Sequence, residues 1–179
     1  MTEILTARLR LRQPTLDDLE AVHGFLSDPA SMRYWSTPPH AEVGQTRDWL
    51  ANMISEGAVT DCDFLIEHEG RVIGKAGCYA PPEIGYILHP SAWGQGLAFE
   101  ALAAVIPHVF AVQPIDALTA DVDPRNTASL KLLERLGFSE TGRAARTWNV
   151  GGEWCDSIYL GLSREAWSSA RSQSMNSSA

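Results

Sequence analysis

Apolar and polar positions alternate first with a period of two and then with a period near 3.6, and the switches mark the elements. Over residues 5–12, Leu5, Ala7, Leu9 and Leu11 point one way and Arg8, Arg10 and Arg12 the other, which predicts a strand. Thr15 opens a helix with Asp18 as its capping partner. Leu16, Leu19, Val22 and Leu26 keep helical spacing until Asp28-Pro29 ends it. A loop with Tyr34, Trp35 and Pro38-Pro39 leads to a second amphipathic helix over about 41–54, marked by Val43, Trp49, Leu50, Met53 and Ile54.

The period then shortens again. Residues 62–68 and 71–79 read as a hairpin about Glu69-Gly70, and a third strand follows at 83–89 after Pro81-Pro82. Ala98, Ala101, Leu102, Val105 and Val109 share one face of a helix over about 96–112, with a kink or early end expected at Pro107. Leu118, Ala120 and Val122 mark another strand. A short helix at 126–136 stops at Gly137, with Phe138 packing back, and two last strands flank Asn149-Val-Gly-Gly152. The order is β-α-α-β-β-β-α-β-α-β-β, an α/β fold on a mixed sheet, expected as one domain over 1–167 with a disordered Ser-rich tail at 168–179.

Composition narrows the class. A chain of 179 residues with 45% hydrophobic and 20% charged residues is long enough for one self-sufficient core. Fourteen basic against 22 acidic residues leave a net charge of −8, which argues against a nucleic-acid partner. Charges fill the N-terminal stretch where a signal peptide would be apolar. The uncharged run from Ala101 to Ile115 is too short to span a bilayer, so no membrane partner is expected. Cys62, Cys78 and Cys155 are widely spaced and read as free thiols in a reducing, cytoplasmic setting. The five histidines show no ligand spacing, and no metal is expected.

The chemistry concentrates in two stretches. In the first, a strand runs through His89 into a loop, Trp93-Gly-Gln-Gly96, that opens a helix at Leu97-Ala98. Glycines at 94 and 96 would let backbone N–H groups turn toward a ligand, and a helix N-terminus adds about half a positive charge, so a pyrophosphate fits there. An ordinary loop-to-helix turn fits the spacing equally well. A P-loop is excluded by the lack of Gly-Lys-Ser/Thr, and a dinucleotide fingerprint by Phe99 in the third glycine position. In the second stretch, Asn126 and Ser129 share a face at a helix start. Asn126 or Asp123 as a plain N-cap, and Ser129 bonded back to the chain, explain the same spacing.

Together these stretches and the order of elements resemble the GCN5-related N-acetyltransferases (GNAT), in particular the RimJ/RimL-like branch that acetylates ribosomal-protein N-termini. The likeness runs from Thr6-Ala-Arg-Leu-Arg-Leu-Arg12 to Asp156 and Trp167. The superfamily's Gln/Arg-x-x-Gly-x-Gly/Ala is matched at Gly96 and Ala98, with Trp93 where Gln or Arg is usual. Asn-x-x-Ser closing in Gly-Phe is matched at Asn126, Ser129, Gly137 and Phe138, and Gly152-Glu-Trp-Cys-Asp156 matches the branch's closing hairpin. Leu133 departs from the pattern, standing where many relatives carry a tyrosine that protonates the departing thiolate.

The resemblance implies the three-layer GNAT fold, acetyl-CoA as cosubstrate and a primary amine as acceptor, most simply a peptide or protein N-terminus. A small amine, an amino acid, an antibiotic, or a non-catalytic acyl-CoA-binding module are the alternatives. It places the cofactor along Ile87, Leu88 and His89 and on the loop of Trp93, Gly94, Gln95, Gly96, Leu97 and Ala98, with Asn126 and Ser129 beside its arm. The oxyanion donor would be a backbone N–H near Leu88. Ser129 would serve the thiolate in place of the missing tyrosine. Glu83 would act as base through a water or stand as a solvated strand-end carboxylate, with Asp121, Asp123 and Asp156 as alternative bases. Tyr34 and Trp35 would line the acceptor entrance or pack in the core, and the protein would be a monomer or homodimer.

Overall fold

The computed structural model describes residues 2–169. One eight-stranded sheet has the order β1-β2-β3-β4-β5-β6-β8-β7. Its strands are β1 (Glu3–Leu5), β2 (Leu9–Arg12), β3 (Asp63–His68), β4 (Arg71–Ala80), β5 (Glu83–Leu88), β6 (Ala117–Val122), β7 (Ser139–Val150) and β8 (Glu153–Ser163). The helices are α1 (Leu19–Leu26), α2 (Val43–Thr60), α3 (Leu97–Val112) and α4 (Thr127–Arg135). Neighbouring strands are antiparallel except β5 and β6, which α3 joins as a crossover.

Each face of the sheet carries its own core. Phe64, Ile66, Ile84 and Leu88 pack with Leu97, Leu102, Val105 and Val109 of α3 and Leu133 of α4. Leu65 and Ile87, pointing the other way, pack with Val22, Phe25 and Leu26 of α1 and Leu50 and Met53 of α2. Burial on both faces explains why β3 reads as a continuous apolar run.

The expected order of elements holds, with local differences. The first strand is a hairpin of β1 and β2: the chain reverses over residues 6–8, and Leu5 is 70% exposed instead of sharing the face of Leu9 and Leu11. The reversal is held by Thr6, whose Oγ1 accepts from the Leu9 N–H at 2.9 Å. Strict alternation therefore carried no sign of the turn. Leu16 lies in a short 3₁₀ turn and is 60% exposed rather than on the inward face.

Helix α2 runs on to Thr60, past the expected end at 54. Its inward positions are Leu50, Met53 and Gly57, and a glycine does not register as apolar. Helix α3 passes through Pro107 and ends at Val112, so the early end is not found. Burial of Val105, Ile106, Val109 and Phe110 around the proline offsets the roughly 3 kcal/mol it costs.

At the other end, Ser168 and Ser169 belong to a helical turn over 164–169, not to a tail. Arg164 fastens that turn through the carbonyls of Phe110, Gln113 and Ile115. The rest of the expected tail, 170–179, lies outside the described residues. No helix among the described residues is long and apolar enough to cross a membrane.

Candidate active site

The site follows from how β5 is paired. The His89 N–H donates to the Ile73 carbonyl at 2.8 Å, and Leu88 stands opposite Gly74. Antiparallel pairing alternates, so residues 87 and 89 turn their hydrogen-bonding groups to β4, and Tyr86 and Leu88 turn theirs away from it. On that far side the β5–β6 ladder consists of Glu83 opposite Thr119 among the described residues. Beyond this pair the strands part, and the Leu88 N–H faces the gap. The Leu88 carbonyl is already taken by the Trp93 indole N–H at 2.9 Å, which folds the following loop back over the strand end.

That loop opens α3. Gly94 and Gly96 have φ of +72° and +76°, a region where a side chain is strained, and Gly96 is the helix N-cap. The first N–H groups of α3, at Leu97, Ala98 and Phe99, have no partner within the helix and point out of its N-terminus. The loop is tied down from behind. Arg8 donates to the Gln95 carbonyl at 2.9 Å and to Glu100 at 2.7 Å, and Thr6 donates to Glu100 at 2.6 Å. Burial raises the Glu100 carboxyl, but these hydrogen bonds outweigh it and hold the group below its usual range. An open groove of about 540 Å³ lies beside Gly96, with the Arg135 guanidinium 4.5 Å over the Phe99 ring. Sequence reading missed the pairing of Arg8 with Glu100, since neither residue belongs to the glycine pattern.

Across the gap, Asn126 caps α4, its Oδ1 accepting from the Ser129 N–H at 3.2 Å. This is the plain capping role left open from the sequence. The Ser129 hydroxyl reaches to β5 and pairs with the Tyr86 phenol at 2.7 Å. Burial pushes that phenol up to about 12, and the Ser129 bond only partly counters it. Tyr86 was not singled out from the sequence; the signal available was its place two residues before Leu88 on the same side of β5. Leu133 is 1% exposed and packs in the core, so nothing polar at that position reaches the gap. Ile87 faces away from the gap twice over: its side chain packs into the α1–α2 layer and its hydrogen-bonding groups turn to β4. The His89 ring pairs with Ser91 at 2.8 Å.

The other end of the gap opens into a cleft of about 160 Å³. The cleft is lined by Tyr34 and Trp35 of the loop after α1, Glu83 and Asp121 of β5 and β6, and Trp148 and Asp156 of the β7–β8 hairpin. Val150, at the β7 end of the turn between β7 and β8, lines the same cleft as Tyr34 and Trp35. At its rim a Cβ on Gly151 would lie 3.7 Å from Pro38. Trp148 donates to Asp121 at 2.9 Å, and the Arg146 N–H donates to Asp156 at 2.8 Å across a bulge in β7. Asp123 is neutralised by Arg125, which bridges to Glu153 and holds its carboxyl below the usual range. Among the described residues no such cation pairs with Glu83. Although Glu83 is exposed at the start of β5, partial burial of its carboxyl and then the Asp121 carboxylate push it above its usual range, the direction that makes a stronger base. Among the described residues no three of His, Cys, Asp and Glu gather as metal ligands.

A family model described as an acetyltransferase (GNAT) domain matches residues 8–139. An uncharacterized N-acetyltransferase, p20, from Bacillus licheniformis is 32% identical over 151 residues, covering 79% of this chain and 85% of that protein. The [ribosomal protein uS5]-alanine N-acetyltransferase of Escherichia coli is 35% identical over 94 residues, 52% of this chain and 46% of that protein. The solved structure of RimL, a ribosomal L7/L12 α-N-protein acetyltransferase in complex with coenzyme A, superposes with a TM-score of 0.81. At 22% identity, over 92% of this chain and 99% of RimL, it speaks for the fold.

Proposed function

The chain belongs to the GNAT acetyltransferase family, and from that premise we propose that this acetyl-CoA-dependent N-acetyltransferase acts on the α-amine of a peptide or protein N-terminus. The observation that carries the reading is the parted β5–β6 seam. It runs from a helix N-terminus suited to a pyrophosphate, past the Leu88 N–H and Ser129, into a cleft that Glu83 lines.

Each residue has a task the chemistry requires. The amine must be neutral to attack the thioester, and Glu83, acting through a water, takes the proton released as it does so. The Leu88 N–H, turned away from β4, serves the oxyanion that forms on the carbonyl. The Ser129 hydroxyl is the donor for the departing sulfur. The cleft is lined by no histidine, so an α-amine with a pKa of about 8 suits a carboxylate base better than a lysine near 10.4.

The relatives that act on ribosomal-protein N-termini support the same class, and the cleft's open end between loop and hairpin suits an extended chain end. The free thiols of Cys62, Cys78 and Cys155 fit work in the cytoplasm. The carboxylates of the cleft and the net charge of −8 favour polyamines as well, so they form a separate arm of the test. Ser- and Ala-starting peptides, the same peptides N-blocked but carrying lysine, and spermidine would compete for acetyl-CoA, with each product measured by mass. Preferred turnover of free N-termini is expected. Preferred turnover of spermidine or of blocked peptides would overturn the acceptor class.

A further inference from the structure

We infer that Tyr86 is a positioning residue for the leaving group: its phenol donates to Ser129 Oγ and thereby leaves the Ser129 hydroxyl proton free for the sulfur of coenzyme A. The inference rests on the reading of Ser129 as the sulfur's donor.

A serine hydroxyl has one proton and two lone pairs. At Ser129 the oxygen lies 2.7 Å from the Tyr86 oxygen, and one of the two must be the donor. If Ser129 donated, its proton would be spent on the strand and the sulfur would meet a lone pair. If Tyr86 donates, the chain runs phenol to serine to sulfur, and each bond polarises the next in the same direction. The phenol is the more acidic hydroxyl and hence the stronger donor. Its buried setting also keeps it protonated well beyond neutral pH. The ring is fixed against the α3–α4 core, so the direction of the bond is built into the fold.

As the C–S bond breaks, its electron pair goes to sulfur. A serine hydroxyl is a far weaker acid than a thiol, so it keeps its proton. The thiolate leaves as a hydrogen-bonded anion and takes its proton from solvent. Stabilising that anion is a task that buried Leu133 cannot perform.

The test needs no acceptor. Coenzyme A with its free thiol is bound to the protein and titrated, thiolate formation being followed by ultraviolet absorbance. Ser129→Ala should raise the pKa of the bound thiol by about one unit, the scale of one hydrogen bond to an anion. Tyr86→Phe should raise it by a smaller part of that, and the double variant by no more than Ser129→Ala alone. An unchanged thiol pKa in Tyr86→Phe, or additive shifts in the double variant, would overturn the inference. Placing 3-fluorotyrosine at 86 keeps the shape and strengthens the donor, and should lower the thiol pKa below that of the parent protein; no decrease would also overturn it. Failure of coenzyme A to bind the parent protein is a different result, and it would take the donor reading of the whole seam down with it.

Discussion

The two ends of the β5–β6 seam are built by opposite means. The end at α3 is made of backbone: consecutive residues from Trp93 to Ala98 supply a turn and a helix N-terminus, and the side chains around them serve to hold the turn. The cleft end is made of side chains from four separated places: the Tyr34-Trp35 loop, the start of β5, the end of β6 and the bulged β7–β8 hairpin. Backbone donors recognise what every donor molecule shares, its diphosphate, whatever side chains surround them. Side chains borrowed from distant segments can be exchanged one at a time. One end is therefore suited to a fixed cosubstrate and the other to an acceptor that changes between relatives.

Substitutions should divide along that line. Gly96→Val forces a β-branched residue into a φ of +76° beside Arg8, and under the proposed binding mode it would cost at least two charge-assisted bonds to phosphate. Acetyl-CoA affinity should fall about a thousandfold by calorimetry, whatever acceptor is present. Unchanged affinity would show that the backbone end is not where the diphosphate sits.

Glu83→Gln should leave that affinity alone and lower kcat about a hundredfold. Glu83 works only when deprotonated, so activity should rise with pH through a value above the usual carboxylate range, because burial and Asp121 raise it. Asp121→Asn removes the second cause and should move this limb of the pH profile to lower pH. A limb that stays in place would assign the base elsewhere.

Leu133→Tyr asks whether the side chains around the seam can be exchanged freely. A phenol forced into a site 1% exposed should overpack the core and lower unfolding free energy by about 1–3 kcal/mol in a urea titration, with no gain in kcat. A faster enzyme would mean that position 133 does reach the sulfur. The smallest effect is expected from Arg8→Gln, since the guanidinium is 44% exposed. KM for acetyl-CoA should rise several-fold with kcat unchanged, the mark of a loop held less firmly.

The same division decided what could be read in advance. Gly94, Gly96, Asn126 and Gly137 act on their own neighbours, so spacing alone located a loop-to-helix turn and a helix stop within a residue or so and offered Asn126 as one of two caps. Tyr86 and Ser129 lie 43 positions apart and meet only because β5 and β6 diverge, which no local pattern encodes. Gly57 hid the end of α2 because a buried glycine carries no side chain to register as apolar. The β1–β2 turn has neither glycine nor asparagine at residues 6–8, and its hydrogen bonds come from Thr6. The cleft was legible as a set of acidic and aromatic candidates, while their pairing, Trp148 with Asp121 and Arg125 with Asp123 and Glu153, depends on how the last hairpin bends.

The contact of Arg8 with Glu100 joins positions 92 apart in sequence. The turn that opens α3 therefore gains its last support only when the first hairpin has docked, late in any folding order that favours short loops. Thermodynamic linkage makes the effect mutual: whatever a diphosphate gains from the docked hairpin, the hairpin gains from the diphosphate. Amide protons of Ile4, Leu9 and Leu11 should accordingly exchange with solvent more slowly once coenzyme A is added, and a protease that nicks the chain near its start should be slowed by a ligand bound at the far side of the clamp.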